Sequence, residues 1–194
     1  MLKKLSEIIC NYVEKEPEIV VEKEEKNVTN ENQIVNEVVS EILYEKIIDE
    51  KITITITNKG AILAQRLIIG VNKTTDGGKK WIEKNELQIH NGAEFLFLDE
   101  NIGFINDSGL AETDGENRRL LVTVDGGKNF ENANIIHPYN VTENNLFVSG
   151  VPYIENNILK VKVYTINYKK NSVKTYYEFI SKDNGKNWSY NKEL

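Results

Sequence analysis

Four acids, Asp107, Glu112, Asp114 and Glu116, fall within ten residues of one another and are the first candidates for chemistry in this sequence. Two carboxylates facing each other across a cleft are what glycoside hydrolysis requires, one to give a proton and one to attack or to activate water. The same charges in a Gly- and Asn-rich loop also read as a solvated surface, which is where such clusters usually lie. Other reactive types are sparse. Cys10 is the one cysteine, so neither an internal disulfide nor a multi-cysteine zinc site is available; it falls on an apolar stripe, where a thiol packs as a small core group. His90 and His137 follow the aromatics Trp81 and Phe130 at corresponding places, and this predicts a structural hydrogen bond made twice, since no third ligand stands at metal spacing. No Gly-x-Ser-x-Gly elbow, phosphate loop or dinucleotide fingerprint occurs, and the Asp-Gly segments lack the alternating acids of a calcium loop. No cofactor or metal is expected. A last cluster is aromatic and basic: Tyr164, Tyr168, Tyr176 and Tyr177 beside Lys160, Lys162, Lys169, Lys170 and Lys174. Such a surface can bind a glycan, a protein or an acidic peptide, although tyrosine also simply favours strands.

The elements that must position these groups change character near residue 50. Residues 1–50 carry six Lys against thirteen Asp/Glu, a balance of −7, and residues 51–194 carry eighteen Lys/Arg against seventeen Asp/Glu, a balance of +1. A step of this kind marks a candidate domain boundary. Neither part has the basic excess that a phosphate backbone demands, so nucleic acid is not an expected partner. Leu2, Leu5, Ile8, Ile9 and Val13 share one helical face, and Pro17 limits that helix. An acidic connector follows over 18–29. Ile34, Val35, Val38, Val39, Ile42 and Leu43 then form a second helical stripe with Asn30 or Thr29 as N-cap; a strand over 38–47 is the rival reading. Residues 1–48 are thus expected to be an acidic, partly helical arm. The apolar run after Met1-Leu2-Lys3-Lys4 fails at Glu7, too short for a signal-peptide core, and no segment approaches the roughly 20 apolar residues of a membrane span.

From Lys51 the period becomes two. Ile52, Ile54 and Ile56 alternate with Thr53, Thr55 and Thr57, the mark of a half-buried strand. Runs at Ala61–Val71, Glu94–Leu98, Ile102–Asn106, Leu120–Val124, Leu146–Tyr153, Leu159–Ile166 and Val173–Ile180 continue the pattern between Gly, Asn and Asp turns. Short strands at such spacing predict an all-β domain.

An internal repeat sharpens this. Thr74-Thr75-Asp76-Gly77-Gly78-Lys79-Lys80-Trp81 recurs as Thr123-Val124-Asp125-Gly126-Gly127-Lys128-Asn129-Phe130 and as Ser181-Lys182-Asp183-Asn184-Gly185-Lys186-Asn187-Trp188. The shared form is Ser/Thr-x-Asp-x-Gly-x-x-aromatic, with the aspartates 49 and then 58 residues apart. Each position has a physical role. The carboxylate accepts from backbone N–H groups that a tight turn leaves unpaired. The hydroxyl completes that network. Gly78, Gly127 and Gly185 suit a positive φ. The ring re-enters the next strand and buries apolar surface under the turn.

The pattern resembles the Asp-box, or BNR, repeats of sialidases, sortilin-type receptors, xyloglucanases and photosystem II assembly factor-like proteins. Phe95-Leu96-Phe97-Leu98-Asp99-Glu100-Asn101-Ile102-Gly103-Phe104-Ile105 also looks like the first two strands of a blade in the assembly-factor-like group. The resemblance covers residues 51–194 at most and implies three antiparallel propeller-type blades, about 49–90, 91–138 and 139–194. In each, the motif would be a structural turn between the last two strands. It also implies an exported or cell-surface setting. Resemblance to sialidases would imply an arginine triad with one Arg-Ile/Leu-Pro motif; this chain has only Arg66, Arg118 and Arg119 and no such motif.

Three blades fall short of the four to eight that usually close a propeller, so apolar flanks are expected in water. A homodimer completing six blades, or cover by the helical arm, would hide them. The expected function is a non-catalytic binding or assembly module for a protein or glycan, with Asp107, Glu112, Asp114, Tyr176 and Tyr177 as candidate contacts. The alternative is a divergent or partial glycoside hydrolase using the acids of 107–116.

Overall fold

A computed structural model describes residues 40–62, 66–107, 119–138, 146–167 and 173–194. These residues are all-β and contain no helix. The first sheet is β1 (Ile42–Ile47), β2 (Thr53–Ala61), β3 (Arg66–Thr74) and β4 (Trp81–His90), antiparallel in chain order. The second is β5 (Glu94–Phe97), β6 (Gly103–Asp107), β7 (Arg119–Thr123) and β8 (Glu131–Asn132), again in chain order. The third joins β10 (Leu146–Glu155), β11 (Ile158–Asn167), β12 (Val173–Ser181) and β13 (Asn187–Glu193), with β9 (Asn134–Ile136) added in parallel to β13.

Two expectations need correction. The second helical stripe does not run through Ile42 and Leu43, because Ile42–Ile47 is a strand paired with Thr53–Thr57. Its register places Tyr44 opposite Ile56, and the Tyr44 hydroxyl accepts from the Phe97 N–H at 2.8 Å. Pairing across the Asp49 turn outweighs the local 3.6-residue pattern, so the first sheet opens at Ile42 rather than at 49. The helical readings over 2–13 and 34–39 lie outside the described residues. The second correction concerns Asn134–Ile136, expected in the second blade. After Ala133 the chain leaves β7 and enters the third sheet, where the Asn134 N–H donates to the Lys186 carbonyl at 2.8 Å.

The sheets stack by side-chain alternation. Ile54, Ile56, Ile69 and Val71 of the first sheet pack against Phe97, Ile105 and Leu121 of the second. The second sheet's other face gives Phe104, Leu120 and Val122 to a core shared with Val161, Val163, Phe179 and Trp188 of the third. The second sheet is therefore apolar on both faces, and each such buried side chain stabilises by about 1.5–3 kcal/mol. Apolar flanks were expected on the outer faces as well. Instead the outer face of the first sheet carries Thr53, Thr55, Thr57 and Asn72, because the Ile/Thr alternation of β2 sends its isoleucines inward. The outer face of the third is mixed: Lys160, Lys162 and Glu178 lie over one part, Lys160 and Glu178 being buried, and Phe147, Tyr164, Ile166 and Tyr176 over the rest.

Candidate functional site

The three repeat turns sit between β3 and β4, β7 and β8, and β12 and β13. Their hydroxyl and backbone hydrogen bonds match, and the second and third turns add a bond from the Asn129 or Asn187 amide to Oδ2 at 2.7 and 2.6 Å, where the first has Lys80. The hydroxyls of Thr74, Thr123 and Ser181 each donate at 2.9 Å to Oδ1 of Asp76, Asp125 and Asp183. Each hydroxyl accepts from the N–H of Gly78, Gly127 or Gly185 at 2.9–3.0 Å. Each Oδ1 accepts from the N–H of Lys80, Asn129 or Asn187 at 2.9 Å. Gly77, Gly126 and Asn184 take φ of 74°, 73° and 60°, so the third turn places Asn where the others place Gly, a residue that tolerates this conformation.

These bonds hold all three carboxyls below the usual carboxylate range. For Asp76 the largest cause is the Lys80 N–H. For Asp183 it is the Asn187 side-chain amide. For Asp125, burial pushes upward and is outweighed by the backbone and side-chain N–H groups of Asn129. Carboxylates so held are structural anchors and poor proton donors.

The rings behave differently from one another. Trp188 is 2% exposed and donates its indole N–H to the Gly185 carbonyl at 2.8 Å. Phe130 is half-buried against the core between the first and second sheets. Trp81 is 43% exposed, against the expectation of burial. The reason is that the second and third turns rest on the sheet before them, and no described sheet precedes the first.

A second repeated turn was not read from the sequence. Asp49 Oδ1 accepts from the N–H groups of Lys51 and Ile52 at 2.8 Å, and Asp99 Oδ1 accepts from those of Asn101 and Ile102 at 2.7 and 2.8 Å. Ile48-Asp49-Glu50-Lys51-Ile52 beside Leu98-Asp99-Glu100-Asn101-Ile102 is the signal that reveals it. The third sheet uses a tighter hairpin, with Asn156 and Asn157 at φ 52° and 61°, the pair of positive φ values that a type I′ turn requires.

Of the candidate contacts, Asp107, Tyr176 and Tyr177 lie among the described residues, and these three do not converge. Asp107 is 1% exposed, with Oδ1 accepting from the His90 N–H at 2.7 Å and lying 3.1 Å from His90 Nδ1, while Oδ2 accepts from Arg119 Nε at 3.2 Å. Both oxygens are engaged, so Asp107 ties the first sheet to the second and does not face a ligand. Its position at the end of β6 buries it under the stacked sheets. His90 lines an open cleft of about 380 Å³ with Leu43, Tyr44, Leu67, Ile89 and Phe95. The His137 ring stands edge-on to that of Tyr177 at 4.6 Å. Glu112, Asp114, Glu116, Arg118 and Tyr168 lie outside the described residues. Tyr177 is 8% exposed and belongs to the core, so it is not a surface contact; alternation along β12 turns it inward beside Phe179.

Tyr176, its neighbour on the opposite face, is 40% exposed. Its ring lies 5.4 Å from that of Tyr164, which stacks on Phe147 at 4.9 Å, and Lys174 Nζ stands 4.7 Å over the Tyr164 ring. Along the same face Lys162 is exposed and sits 5.9 Å over the Tyr153 ring. Beside them is a network the sequence did not disclose. Lys160 Nζ donates to Glu155 Oε2 at 2.6 Å and to Glu178 Oε1 at 3.2 Å, the Tyr153 hydroxyl donates to Glu178 Oε2 at 3.0 Å, and the Asn191 amide donates to Glu178 Oε1 at 2.6 Å. Burial pushes the Glu178 carboxyl up, but Asn191, Tyr153 and Lys160 together hold it below its ordinary value. Lys160 is raised, chiefly by Glu155.

The fold and site thus define an all-β protein of three stacked sheets with an aromatic and lysine-bearing outer face. Comparison with family models, with curated proteins and with solved structures gave no match to this chain. No helix among the described residues is long and apolar enough to cross a membrane, and no group of three or more His, Cys, Asp or Glu among them could hold a metal ion.

Proposed function

We infer that the chain is a non-catalytic binding module built from three Asp-box, propeller-type blades, and that it recognises a protein or glycan through the outer face of the third sheet. The observation that carries this reading is the exposed Tyr176 ring beside Tyr164, with Lys174 over the latter and Lys162 further along the strand. Aromatic faces pack against the C–H surfaces of sugars or apolar side chains, and the ammonium groups donate to carboxylates or sulfates. A partner offering both, such as an acidic glycan or an acidic protein segment, fits that chemistry. The matching bonds of Asp76, Asp125 and Asp183 support the blade reading. The engagement of Asp107 by His90 and Arg119 weighs against the hydrolase alternative, because a carboxylate with both oxygens occupied cannot serve as acid or nucleophile.

The test is an array of acidic and neutral glycans and of acidic peptides, probed with the full chain and with Tyr176→Ala and Lys162→Glu. Binding lowered at least tenfold by both changes is the expected result. Turnover of chromogenic glycosides by the unaltered chain, with the same turnover in Tyr176→Ala, would overturn it.

A further inference from the structure

The strand registers allow the three sheets to be compared position by position. In the first sheet, Thr55 pairs with Asn72, and in the second, Ile105 pairs with Leu121. In the third, Val161 pairs with Phe179. Counting back from the repeat hydroxyls Thr74, Thr123 and Ser181, these pairs occupy the same row. In the second and third sheets this row is buried against the sheet before. In the first, where no described sheet comes before, it is a hydroxyl and an amide, Thr55 itself being only 4% exposed. Around it Lys59 pairs with Glu83 at 3.0 Å and with Glu86 across the same face, and a Cβ added at Gly70 would meet Glu83 Oε2 and Lys59 Cδ at 3.1 Å.

The opposite face gives the mirror result. Ile54 and Val71 in the first sheet correspond to Phe104 and Leu120 in the second, and all four are buried against the sheet that follows. The corresponding residues of the third sheet are Lys160 and Glu178, joined to each other and to Tyr153, Glu155 and Asn191. The apolar pair that every internal face uses is thus replaced by polar groups at both ends, at the same register positions. Repeat arrays need this of their terminal units, whose outer faces must be polar to stay in water.

We propose that the three sheets are a self-capped stack, its two end faces closed to any further sheet, so that the domain works as an open arc and not as half of a six-sheet ring. A ring would bury the first sheet's outer face against the third sheet's outer face. Thr55, Lys160 and Glu178 are already buried within their own faces; stacking the solvent-exposed Lys59–Glu83–Glu86 group on the exposed Lys162 would desolvate charges already satisfied in their own sheet. Apolar groups on the first sheet's outer face are Ile47 and Trp81, toward its end; on the third sheet's they are Ile180 beside Lys160 and, further along, Tyr164, Tyr176 and the buried Phe147 and Ile166. The proposal concerns association alone and stands whether or not the third sheet's face binds a ligand.

The experiment measures molar mass by sedimentation equilibrium over a hundredfold concentration range, for the full chain and for Thr57→Lys and Lys162→Glu, which place new charge on the two end faces. A monomer supports the proposal. So does any larger assembly whose mass both substitutions leave unchanged, since it uses another surface. A dimer that either substitution dissociates overturns it. A gain-of-association variant gives a further reading: Thr55→Ile, Asn72→Leu, Lys160→Phe and Glu178→Leu together restore the second sheet's residues at both ends. With native circular dichroism retained, this variant should form head-to-tail oligomers that neither pair of changes produces alone. A folded variant that stays monomeric while the unaltered chain is dimeric would also overturn the proposal.

Discussion

The first and third repeat turns have nearly identical hydrogen bonds and opposite surroundings. In both, a hydroxyl donates to Oδ1 at 2.9 Å and the same Oδ1 accepts a backbone N–H at 2.9 Å. Beneath the third turn, a Cβ added at Gly185 would strike the Phe104 ring of the second sheet, and Trp188 closes the contact. Beneath the first turn, Gly78 has nothing nearer than its own Trp81 at 4.0 Å, and Trp81 is open to solvent. The polar network therefore makes the turn from local residues alone, while the ring is buried only where a preceding sheet receives it. One motif has two separable jobs, to shape a hairpin and to dock it.

The two tryptophans divide these jobs most sharply. Trp188→Ala removes a buried indole from the core between the second and third sheets and should cost about 3–5 kcal/mol. Trp81→Ala should cost no more than about 0.5 kcal/mol, as for an ordinary surface site. Urea denaturation of both variants checks this, and equal losses would show that the rings serve the turn and not the docking.

The glycines come next in size. Gly185→Ala and Gly127→Ala combine a positive φ, 86° in each, with collision against Phe104 or against Val71 Cγ1 at 2.6 Å. Each should lose about 3 kcal/mol, from overpacking and left-handed strain together. Gly78→Ala, at φ 88° in open space, retains only the strain and should lose about 1 kcal/mol. A Gly78→Ala loss as large as that of Gly185→Ala would mean that conformation, and not contact with the neighbouring sheet, fixes these positions.

The sequence revealed the groups whose structure is local. The repeat turns, the all-β class and the alternation of β2 follow from residues within a few positions of one another, and spacing alone exposes them. It hid what depends on partners far along the chain. Trp81 and Trp188 occupy the same motif position, yet burial depends on a neighbouring sheet that the motif does not encode. Asp107 stood out as an acid near a loop, but its fate was decided by His90 and Arg119. Strand β4, with Glu83, Lys84, Asn85 and Glu86 in its middle, lacks apolar alternation there because it is an edge strand with a polar face. In sequence Lys160 belongs with the aromatic and basic cluster and Glu178 does not stand out; only the fold joins them to each other and to Tyr153. Tyr176 and Tyr177 were one cluster in sequence and two opposite faces in the sheet.

The smallest effect tests what the turns share. Asp76, Asp125 and Asp183 all have carboxyls held below their ordinary value in the folded chain. An unfolded Asp titrates near about 3.9, so between the folded and unfolded values the unfolded chain binds more protons, and stability rises with pH in that window. The contribution is complete above about pH 4 and is lost as pH falls through the folded values. Asp49 and Glu178 are lowered as well, so acid sensitivity should be reduced, not abolished, when the three turns are neutralised. Urea midpoints for the triple variant Asp76→Asn, Asp125→Asn and Asp183→Asn should be lower than those of the unaltered chain at pH 7 and should converge toward them as pH falls below the unfolded value and through the folded ones. Each single variant should supply part of that convergence, the first turn included, because it shares the hydroxyl and backbone bonds of the others; its share should be smaller, since Asp125 and Asp183 also accept the Asn129 and Asn187 side-chain amides at Oδ2 and Asp76 has Lys80 at that place. If Asp76→Asn left the acid slope unchanged while the other two still reduced it in a chain carrying Asn129→Lys and Asn187→Lys, which removes the extra amide bonds, the carboxylate's value would depend on docking after all, and the separation of the two jobs would fail.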